Sequence, residues 1–212
     1  MSRRHAAIIA AAAVALGLGA GAWFAFGSRG DDPFAQCRTT RVAAGGAAIG
    51  GPFELIDSHG RTVTDAQIID RPTLIYFGYT YCPDVCPVDT VRNADALDIL
   101  AERGVDAKLV FITIDPQRDD PETVGAFAAN IHPRMIGLTG SPEQIDAARK
   151  AYRVYAARAG DDPEDYLMDH STFTYLMAPG VGFLDVFRRD ATPEQIADAV
   201  ACFAERLPGA GG

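Results

Sequence analysis

The sequence predicts an α/β domain, with a central mixed β-sheet flanked by helices, that follows an N-terminal transmembrane helix. Short apolar runs rich in β-branched and aromatic residues alternate with amphipathic stretches of helical length. The first alternation is strand, helix, strand, which is the order of a parallel βαβ unit. A long apolar segment near the N-terminus has the length of a membrane span. These three observations define the predicted fold class.

The N-terminal segment from Ala6 to Gly27 contains 22 residues without a charge. A helix of that length rises about 33 Å, which matches the hydrocarbon thickness of a bilayer. Two arginines precede it, so the positive-inside rule places residues 1–5 in the cytoplasm. We therefore expect an anchor over residues 6–27 in a bacterial inner membrane, with the soluble domain in the periplasm. A cleaved signal peptide is the alternative, since Ala20-Gly21-Ala22 has the form of a cleavage site.

The chain is acidic, with 28 Asp and Glu against 19 Lys and Arg and a formal net charge of −9. This balance argues against binding to nucleic acid and against docking on anionic lipid. Residues 28–51 are rich in Gly and Ala and lack periodicity, so we expect a flexible tether. The folded domain is expected over residues 52–207, and a disordered tail over residues 208–212.

The elements of this domain follow from periodicity and turn residues. Residues 53–57 and 61–64, joined by Ser58-His59-Gly60, predict a hairpin. Residues 72–78 are apolar, bounded by Pro and Gly and too short for a helix, which indicates a buried strand. Further β-rich runs predict strands over residues 108–115, 135–138, 173–177 and 182–187. Amphipathic stretches predict helices over residues 87–103, after Pro121, from Ser141 and from Thr192.

The order of these elements is that of a thioredoxin-like domain. A βαβ unit whose first strand precedes paired cysteines is followed by an antiparallel hairpin and a terminal helix. Cys82 and Cys86 then lie at the carboxyl end of a parallel strand and near a helix N-terminus. Open α/β sheets place their chemistry at that edge.

Cys82 and Cys86 lie in a segment stiffened by Pro83 and Pro87. A nearby helix N-terminus lowers thiol pKa values, which favours the reactive thiolate form. Three residues separate the cysteines, rather than the two of the usual redox motif, and the wider spacing suits a metal. The same two thiols could also close into a disulfide. From the cysteines alone, redox chemistry and metal binding stay equally open.

His170 follows Met168-Asp169 and directly precedes Ser171-Thr172 and a predicted strand. On the thioredoxin plan this segment runs beside the cysteine loop, so the imidazole can complete a trigonal site. Two thiols and one imidazole form a soft ligand set, which suits Cu(I). The remaining histidines are weaker candidates, because they precede the membrane segment or lie in a turn or loop: His5, His59 and His132.

Three stretches together resemble the motifs of the Sco (SenC-type) family: Tyr76–Pro87, Ile112–Asp119 and Asp169–Ser171. The resemblance covers roughly residues 50–205. It implies a membrane-anchored, thioredoxin-like copper metallochaperone that helps assemble the binuclear copper centre of cytochrome c oxidase. It also implies copper, as Cu(I) and also as Cu(II), as the bound metal, with Cys82, Cys86 and His170 as ligands. The implied partners are the copper-bearing subunit of the oxidase and other copper chaperones.

A thiol-disulfide oxidoreductase is the second hypothesis. Reduced Cys82 and Cys86 would reduce the cysteines of the partner's copper site through a mixed disulfide. A peroxidase or redox sensor is a third function that the fold permits, but no further residue favours it. His170 discriminates, because a dithiol reductase does not require an imidazole facing its cysteines. The sequence therefore predicts a metallochaperone, with the reductase activity as a companion.

Two acidic residues and two further cysteines have alternative roles. Asp84 either tunes the thiols or contacts the partner, or it caps the following helix. Asp115 either orients a metal ligand without binding the metal itself or forms the turn before Pro116. Export to an oxidising compartment favours a disulfide between Cys37 and Cys202, which would attach the tether to the domain. The alternative leaves Cys202 buried and Cys37 free.

Overall fold

The computed structural model describes residues 32–40, 49–160, 162 and 165–208, together with the isolated residues 5, 17, 19 and 21. Within this part of the chain, no helix has both the length and the hydropathy needed to cross a bilayer. The predicted anchor over 6–27 lies almost entirely outside the described residues, as does most of the predicted tail over 208–212. Both therefore stay predictions.

The chain divides into two compact units, Met1–Gln36 and Cys37–Gly212. In the first unit, residues 33–36 form a turn in which the backbone N–H of Ala35 donates to the carbonyl of Asp32 at 3.0 Å. The second unit holds the predicted domain, and its strands and helices position the candidate site.

The elements of the second unit fall into strands and helices of ordinary length. The strands are β1 (Glu54–Asp57), β2 (Thr62–Thr64), β3 (Thr73–Gly78), β4 (Lys108–Thr113), β5 (Met135–Thr139), β6 (Ala156–Ala159), β7 (Leu167–His170), β8 (Thr174–Ala178) and β9 (Gly182–Phe187). The helices are α1 (Asp65–Ile68), α2 (Val85–Glu102), α3 (Pro121–Ile131), α4 (Pro142–Ala151) and α5 (Pro193–Ala204).

Seven of these strands form one mixed sheet in the order β2-β1-β5-β4-β3-β8-β9. Strands β3, β4 and β5 are parallel, whereas β1 and β8 run antiparallel to their neighbours. Every residue of β3 is buried, as expected for a strand that is covered on both faces. Helix α2 packs against α5, and α3 packs against β5. The predicted α/β fold with a helix-flanked mixed sheet is confirmed, including its parallel βαβ unit and its closing hairpin.

Helices α3, α4 and α5 begin where the sequence signals predict them. Helices α4 and α5 each start with a proline after a capping box, formed by Ser141 with Gln144 and by Thr192 with Gln195. Helix α2 starts at Val85 instead of the predicted residue 87. The difference places Cys86 inside the first turn of the helix and leaves Cys82 in the preceding loop.

A second, two-stranded sheet was not predicted from the sequence. Strands β6 and β7 pair antiparallel, with Ala156 opposite His170 and Ala159 opposite Leu167. His170 therefore ends a strand and does not lie in a loop. No residue of these two strands is fully buried, since all of them are half-buried or exposed. Helix α1, which has four residues, was also not predicted.

The start of the second unit is attached to helix α5 and to the edge strand β9. Cys37 and Cys202 form a disulfide with their Cα atoms 5.5 Å apart, which confirms the favoured pairing. Asp185, which is fully buried in β9, accepts hydrogen bonds from the backbone N–H of Thr39 at 2.6 Å and from the Thr40 hydroxyl. Residues 37–40 of the predicted tether are thus bonded to the domain.

Candidate functional site

The cysteine loop connects the carboxyl end of β3 to the amino end of α2. The backbone N–H of Cys82 donates to the carbonyl of Tyr79 at 3.3 Å, which closes a turn before the helix. Cys86 is fully buried, whereas Cys82 is half-buried. Gly78 ends β3 directly beneath the loop, and a Cβ atom there would lie 3.0 Å from the Cys86 Sγ. A glycine at this position therefore makes room for the buried sulfur.

Asp119 fixes the amino-terminal half of the loop. Its carboxylate is fully buried and accepts from the backbone N–H of Thr80 at 3.0 Å and from the Thr80 hydroxyl at 2.6 Å. It also accepts from the hydroxyl of Thr113, the last residue of β4, at 2.6 Å. Burial raises the pKa of this carboxyl, while the hydrogen bonds from Thr113 and Thr80 oppose that rise. Through Thr80, which lies two residues before Cys82, the loop is thereby bonded to the end of the neighbouring strand β4.

The two thiols have different protonation states. The hydrogen bond from the Cys86 thiol lowers the pKa of Cys82 to about 5, against the opposing effect of burial. Backbone N–H groups at the start of α2, including that of Cys86 at 3.3 Å, act in the same direction. The shared hydrogen bond and burial together raise the pKa of Cys86 well above its usual range. Cys82 is therefore the thiolate of the pair, and Cys86 retains its proton.

His170 reaches the cysteines from the end of β7. Its Nε2 lies 3.4 Å from the Cys86 Sγ, and its Nδ1 lies 2.8 Å from the carbonyl oxygen of Ser171. Because a carbonyl only accepts, we assign the proton of the neutral imidazole to Nδ1, which leaves the Nε2 lone pair facing the sulfur. The rings of Tyr76 and Tyr79 meet the imidazole edge-on, with centroids 6.3 and 6.0 Å away. The backbone thus sets both the tautomer and the orientation of the ring.

The structure brings the three predicted ligands together at Cys86, whose backbone N–H donates to the Cys82 Sγ and whose own Sγ contacts the His170 Nε2. As the side chains stand, no group of three or more His, Cys, Asp or Glu residues in the described part of the chain could hold a metal ion. The donor types nevertheless fit a soft metal, since a thiolate, a thiol and an unprotonated nitrogen are adjacent. Metal binding requires the sulfur and nitrogen atoms to turn toward a common point.

The other histidines have different surroundings. The Nε2 of His132 pairs with the Asp98 carboxylate at 3.1 Å, and its Nδ1 accepts from the backbone N–H of Arg134. His59 is exposed in the turn between β1 and β2, with its Nδ1 3.3 Å from the Ser58 hydroxyl. Both imidazoles therefore have hydrogen-bond partners outside the cysteine loop.

The two aspartates singled out from the sequence have distinct positions. Asp84 is exposed at the N-cap of α2, but its side chain caps no helix N–H, and only its backbone N–H acts on Cys82. Asp115 is 1% exposed and accepts from the Arg118 Nε at 2.6 Å and from the Tyr166 hydroxyl at 2.7 Å. Among the described contacts, Asp115 thus bonds to Arg118 and Tyr166 and not directly to any of the three predicted ligands, and its supporting role stays a prediction.

Sequence reasoning did not single out Asp119, Arg118 or Tyr166. All three act through contacts between distant segments, which periodicity does not reveal. One signal was present: Asp115, Arg118 and Asp119 form a charged run directly after a buried strand. Charged residues that turn out to be buried at the carboxyl edge of a sheet indicate a supporting role for a site there.

Comparisons with known proteins agree with these features. A family model described as SCO1/SenC matches residues 41–205. Protein SenC of Rhodobacter capsulatus is 53% identical over 208 residues, which cover 98% of this chain and 93% of that protein. The crystal structure of Arabidopsis thaliana ScoI with copper bound is 40% identical, with a TM-score of 0.70 over 74% of this chain and 99% of that one. BsSco, a member of the Sco family of cytochrome c oxidase assembly proteins with an identified disulfide switch, is 25% identical, with a TM-score of 0.58 over 73% of this chain and 93% of that one.

Proposed function

Because this chain belongs to the SCO1/SenC family, we propose that it is a metallochaperone that binds copper with Cys82, Cys86 and His170 and delivers it to the binuclear copper centre of cytochrome c oxidase. The observation that carries the proposal is the 3.4 Å contact between the Cys86 Sγ and the His170 Nε2. A dithiol reductase has no need of an unprotonated nitrogen beside its buried thiol, whereas a three-coordinate copper site does.

The electronic state of each donor suits this role. Cys82 is already a thiolate, and His170 presents a lone pair, so only Cys86 must lose a proton when the metal binds. Two sulfurs favour Cu(I), and the imidazole nitrogen is also a good ligand for Cu(II). Cys82 is the more exposed of the two thiols, so an incoming ligand from the partner can approach the metal from its side. Ligand exchange at a three-coordinate metal then moves copper without releasing it to water.

A companion reductase activity is supported by the asymmetry of the thiols. The low-pKa Cys82, which is the more exposed of the two thiols, attacks one sulfur of a partner disulfide, and the partner's other sulfur leaves as a thiolate. Cys86 then gives its proton to that thiolate and attacks Cys82 in the mixed disulfide. The partner's second thiolate leaves, and the chain is left with a Cys82–Cys86 disulfide. One dithiol is oxidised and one disulfide is reduced, which prepares the partner's cysteines to accept copper.

The test compares the full-length chain with His170→Ala, and uses His59→Ala as the matched control because His59 is an exposed histidine in a turn. Each reduced protein is titrated with Cu(I) against a competing chelator, and each is assayed for reduction of the oxidised oxidase subunit. We expect His170→Ala to lose tight copper binding and to keep disulfide reduction. Unchanged copper affinity in His170→Ala would show that the ligand set is wrong.

Delivery is tested separately from binding. The copper-loaded chain is mixed with the reduced, metal-free copper-bearing subunit, and the copper content of each protein is measured after separation. We expect copper to move to the subunit. If copper stays on the chain while the oxidised subunit is still reduced, the reductase activity is the function.

A further inference from the structure

Arg118 lies between the two segments that carry the proposed copper ligands. Its guanidinium carbon is 4.7 Å from the centroid of the Tyr81 ring and 3.6 Å from that of Tyr166. Tyr81 directly precedes Cys82, and Tyr166 directly precedes β7, the strand that ends at His170. A single cation therefore contacts an aromatic ring from each side of the site.

Hydrogen bonds hold the guanidinium in this place. The Arg118 Nε donates to Asp115 at 2.6 Å, and one terminal nitrogen donates to the backbone carbonyl of Tyr166 at 3.0 Å. The Tyr166 hydroxyl donates to the second oxygen of Asp115 at 2.7 Å, which closes the ring of contacts. The Arg118 side chain is only 14% exposed and Asp115 is 1% exposed, so these charge-assisted bonds are largely shielded from water.

The attachment matters because the hairpin of β6 and β7 has no strand partner in the seven-stranded sheet among the described strands. Side-chain contacts with the rest of the domain therefore help to set its orientation. Arg149 reaches the carbonyl of Ala156 at 3.2 Å on the β6 side, but it contacts no residue of the cysteine loop among the described contacts. Arg118 bonds to the base of β7 and also contacts the cysteine loop.

We propose that Arg118 is a positioning residue, which holds the His170 hairpin against the cysteine loop and so sets the distance between the imidazole and the sulfurs. The inference rests on the proposed copper site, because the benefit of this geometry is a third ligand for the metal. Without Arg118 the thiols stay in place, but the hairpin spends less time with Nε2 facing Cys86. Apparent affinity falls in proportion to that lost population.

The test uses Arg118→Met in the full-length chain, with Arg158→Met as the matched control. Arg158 also lies over the Tyr166 ring, at 4.0 Å, but it has no contact with Tyr81 or Asp115 among the described residues. Removing a group that orients a metal ligand typically weakens metal binding about 10- to 100-fold. We expect that loss of Cu(I) affinity for Arg118→Met and a change of less than about twofold for Arg158→Met.

A double variant separates positioning from general damage to the fold. If Arg118 acts through His170, then Arg118→Met should add no further loss of affinity in a His170→Ala background. X-ray absorption of Cu(I)-loaded Arg118→Met should show both sulfurs and a reduced nitrogen contribution. Additive losses, or a loss of sulfur ligands, would overturn the proposal. Tyr166→Phe removes only the hydroxyl bond to Asp115 and should give a smaller loss of Cu(I) affinity. This variant provides the test if Arg118→Met does not fold.

A readout without copper separates this inference from the proposed function. Diethyl pyrocarbonate modifies accessible imidazole nitrogens, and peptide mass analysis reports each histidine separately. We expect His170 to be modified several-fold faster in Arg118→Met than in wild type or Arg158→Met, with the exposed His59 as the internal reference. Faster modification in a chain that binds no copper would retain the positioning role and reject the copper site. Unchanged modification together with unchanged affinity would reject the positioning role alone.

Discussion

The His170 Nε2 lies 3.4 Å from the Cys86 Sγ across a sequence separation of 84 residues. The contact joins the end of β7 to the first turn of α2. Cys86 keeps its proton because its hydrogen bond to Cys82 and its burial both raise its pKa. The Cys86 thiol must therefore lose this proton before its sulfur can bind a metal.

Copper binding should release about one proton per Cu(I) near neutral pH. Cys82 has already lost its proton, because its pKa is lowered to about 5, and an imidazole with its proton on Nδ1 binds a metal through Nε2 without releasing a proton. Only the Cys86 thiol, whose pKa is raised, must ionise. Calorimetry in two buffers of different ionisation enthalpy measures this number. Release of two protons would show that both thiols are protonated in the metal-free protein.

With the Cys37–Cys202 disulfide intact and the other two thiols reduced, alkylation of the metal-free protein should be confined to Cys82 and should follow its lowered pKa. The thiolate is the reactive form, so the rate with iodoacetamide should fall only as the pH drops through about 5. In the unfolded chain the same residue should titrate near the ordinary thiol value of about 8.5. Peptide mass analysis across pH gives both profiles, and Cys86 should react only after unfolding because it is fully buried. A native midpoint near the ordinary value would contradict the assigned hydrogen bonds.

The sequence located the cysteines correctly because local signals determine their position. An apolar run bounded by Pro72 and Gly78 defines a buried strand, and a strand followed by a helix defines the edge where Cys82 and Cys86 lie. The same kind of signal gave the capped helices and the closing hairpin. None of these inferences required knowledge of a distant contact.

The sequence could not give the hairpin that carries His170. Strand β6 (Ala156–Ala159) consists of three alanines and one arginine, which produce no apolar alternation, and β7 has only four residues. The hairpin is held by Arg118 and Tyr166, and the contacts of Arg118 with Tyr166 and with Tyr81 of the cysteine loop join residues far apart in the chain. Such contacts arise from tertiary packing, so neither periodicity nor turn chemistry predicts them.

Replacing Asp119 by alanine should loosen the cysteine loop and destabilise the protein. The change leaves the backbone N–H of Thr80 and the hydroxyls of Thr80 and Thr113 without their acceptor. An unpaired buried donor costs about 1–3 kcal/mol, so we expect a loss of about 3 kcal/mol or more in the free energy of unfolding, measured by urea titration. Asp119→Asn keeps one acceptor oxygen and should lose less. Equal stability of all three proteins would contradict the role of these bonds.

The wild type and Asp119→Asn also allow a test of the pH dependence of stability. Burial raises the pKa of Asp119 in the folded state, so protonation favours folding. This contribution is present below the unfolded pKa and is lost as the pH rises through the folded pKa. The wild type should therefore gain stability relative to Asp119→Asn as the pH is lowered through that range. A difference between the two proteins that does not change with pH would contradict the raised pKa.

Removing the disulfide between Cys37 and Cys202 should destabilise the domain and leave copper binding unchanged. The bond closes a loop with a sequence separation of 165, for which chain entropy sets a limit of about 5 kcal/mol. Thr39 and Thr40 keep their bonds to Asp185, so we expect Cys37→Ser to lose about 2–5 kcal/mol in urea titrations. Adding a reductant should lower the free energy of unfolding of the wild type toward that of Cys37→Ser. The free energy of unfolding of the variant itself should not change. The double variant with Cys202→Ser should match the single one, because one bond is lost in each case. A wild type that is insensitive to reductant, or one that exposes all four thiols to alkylation when unfolded without reductant, would contradict the disulfide.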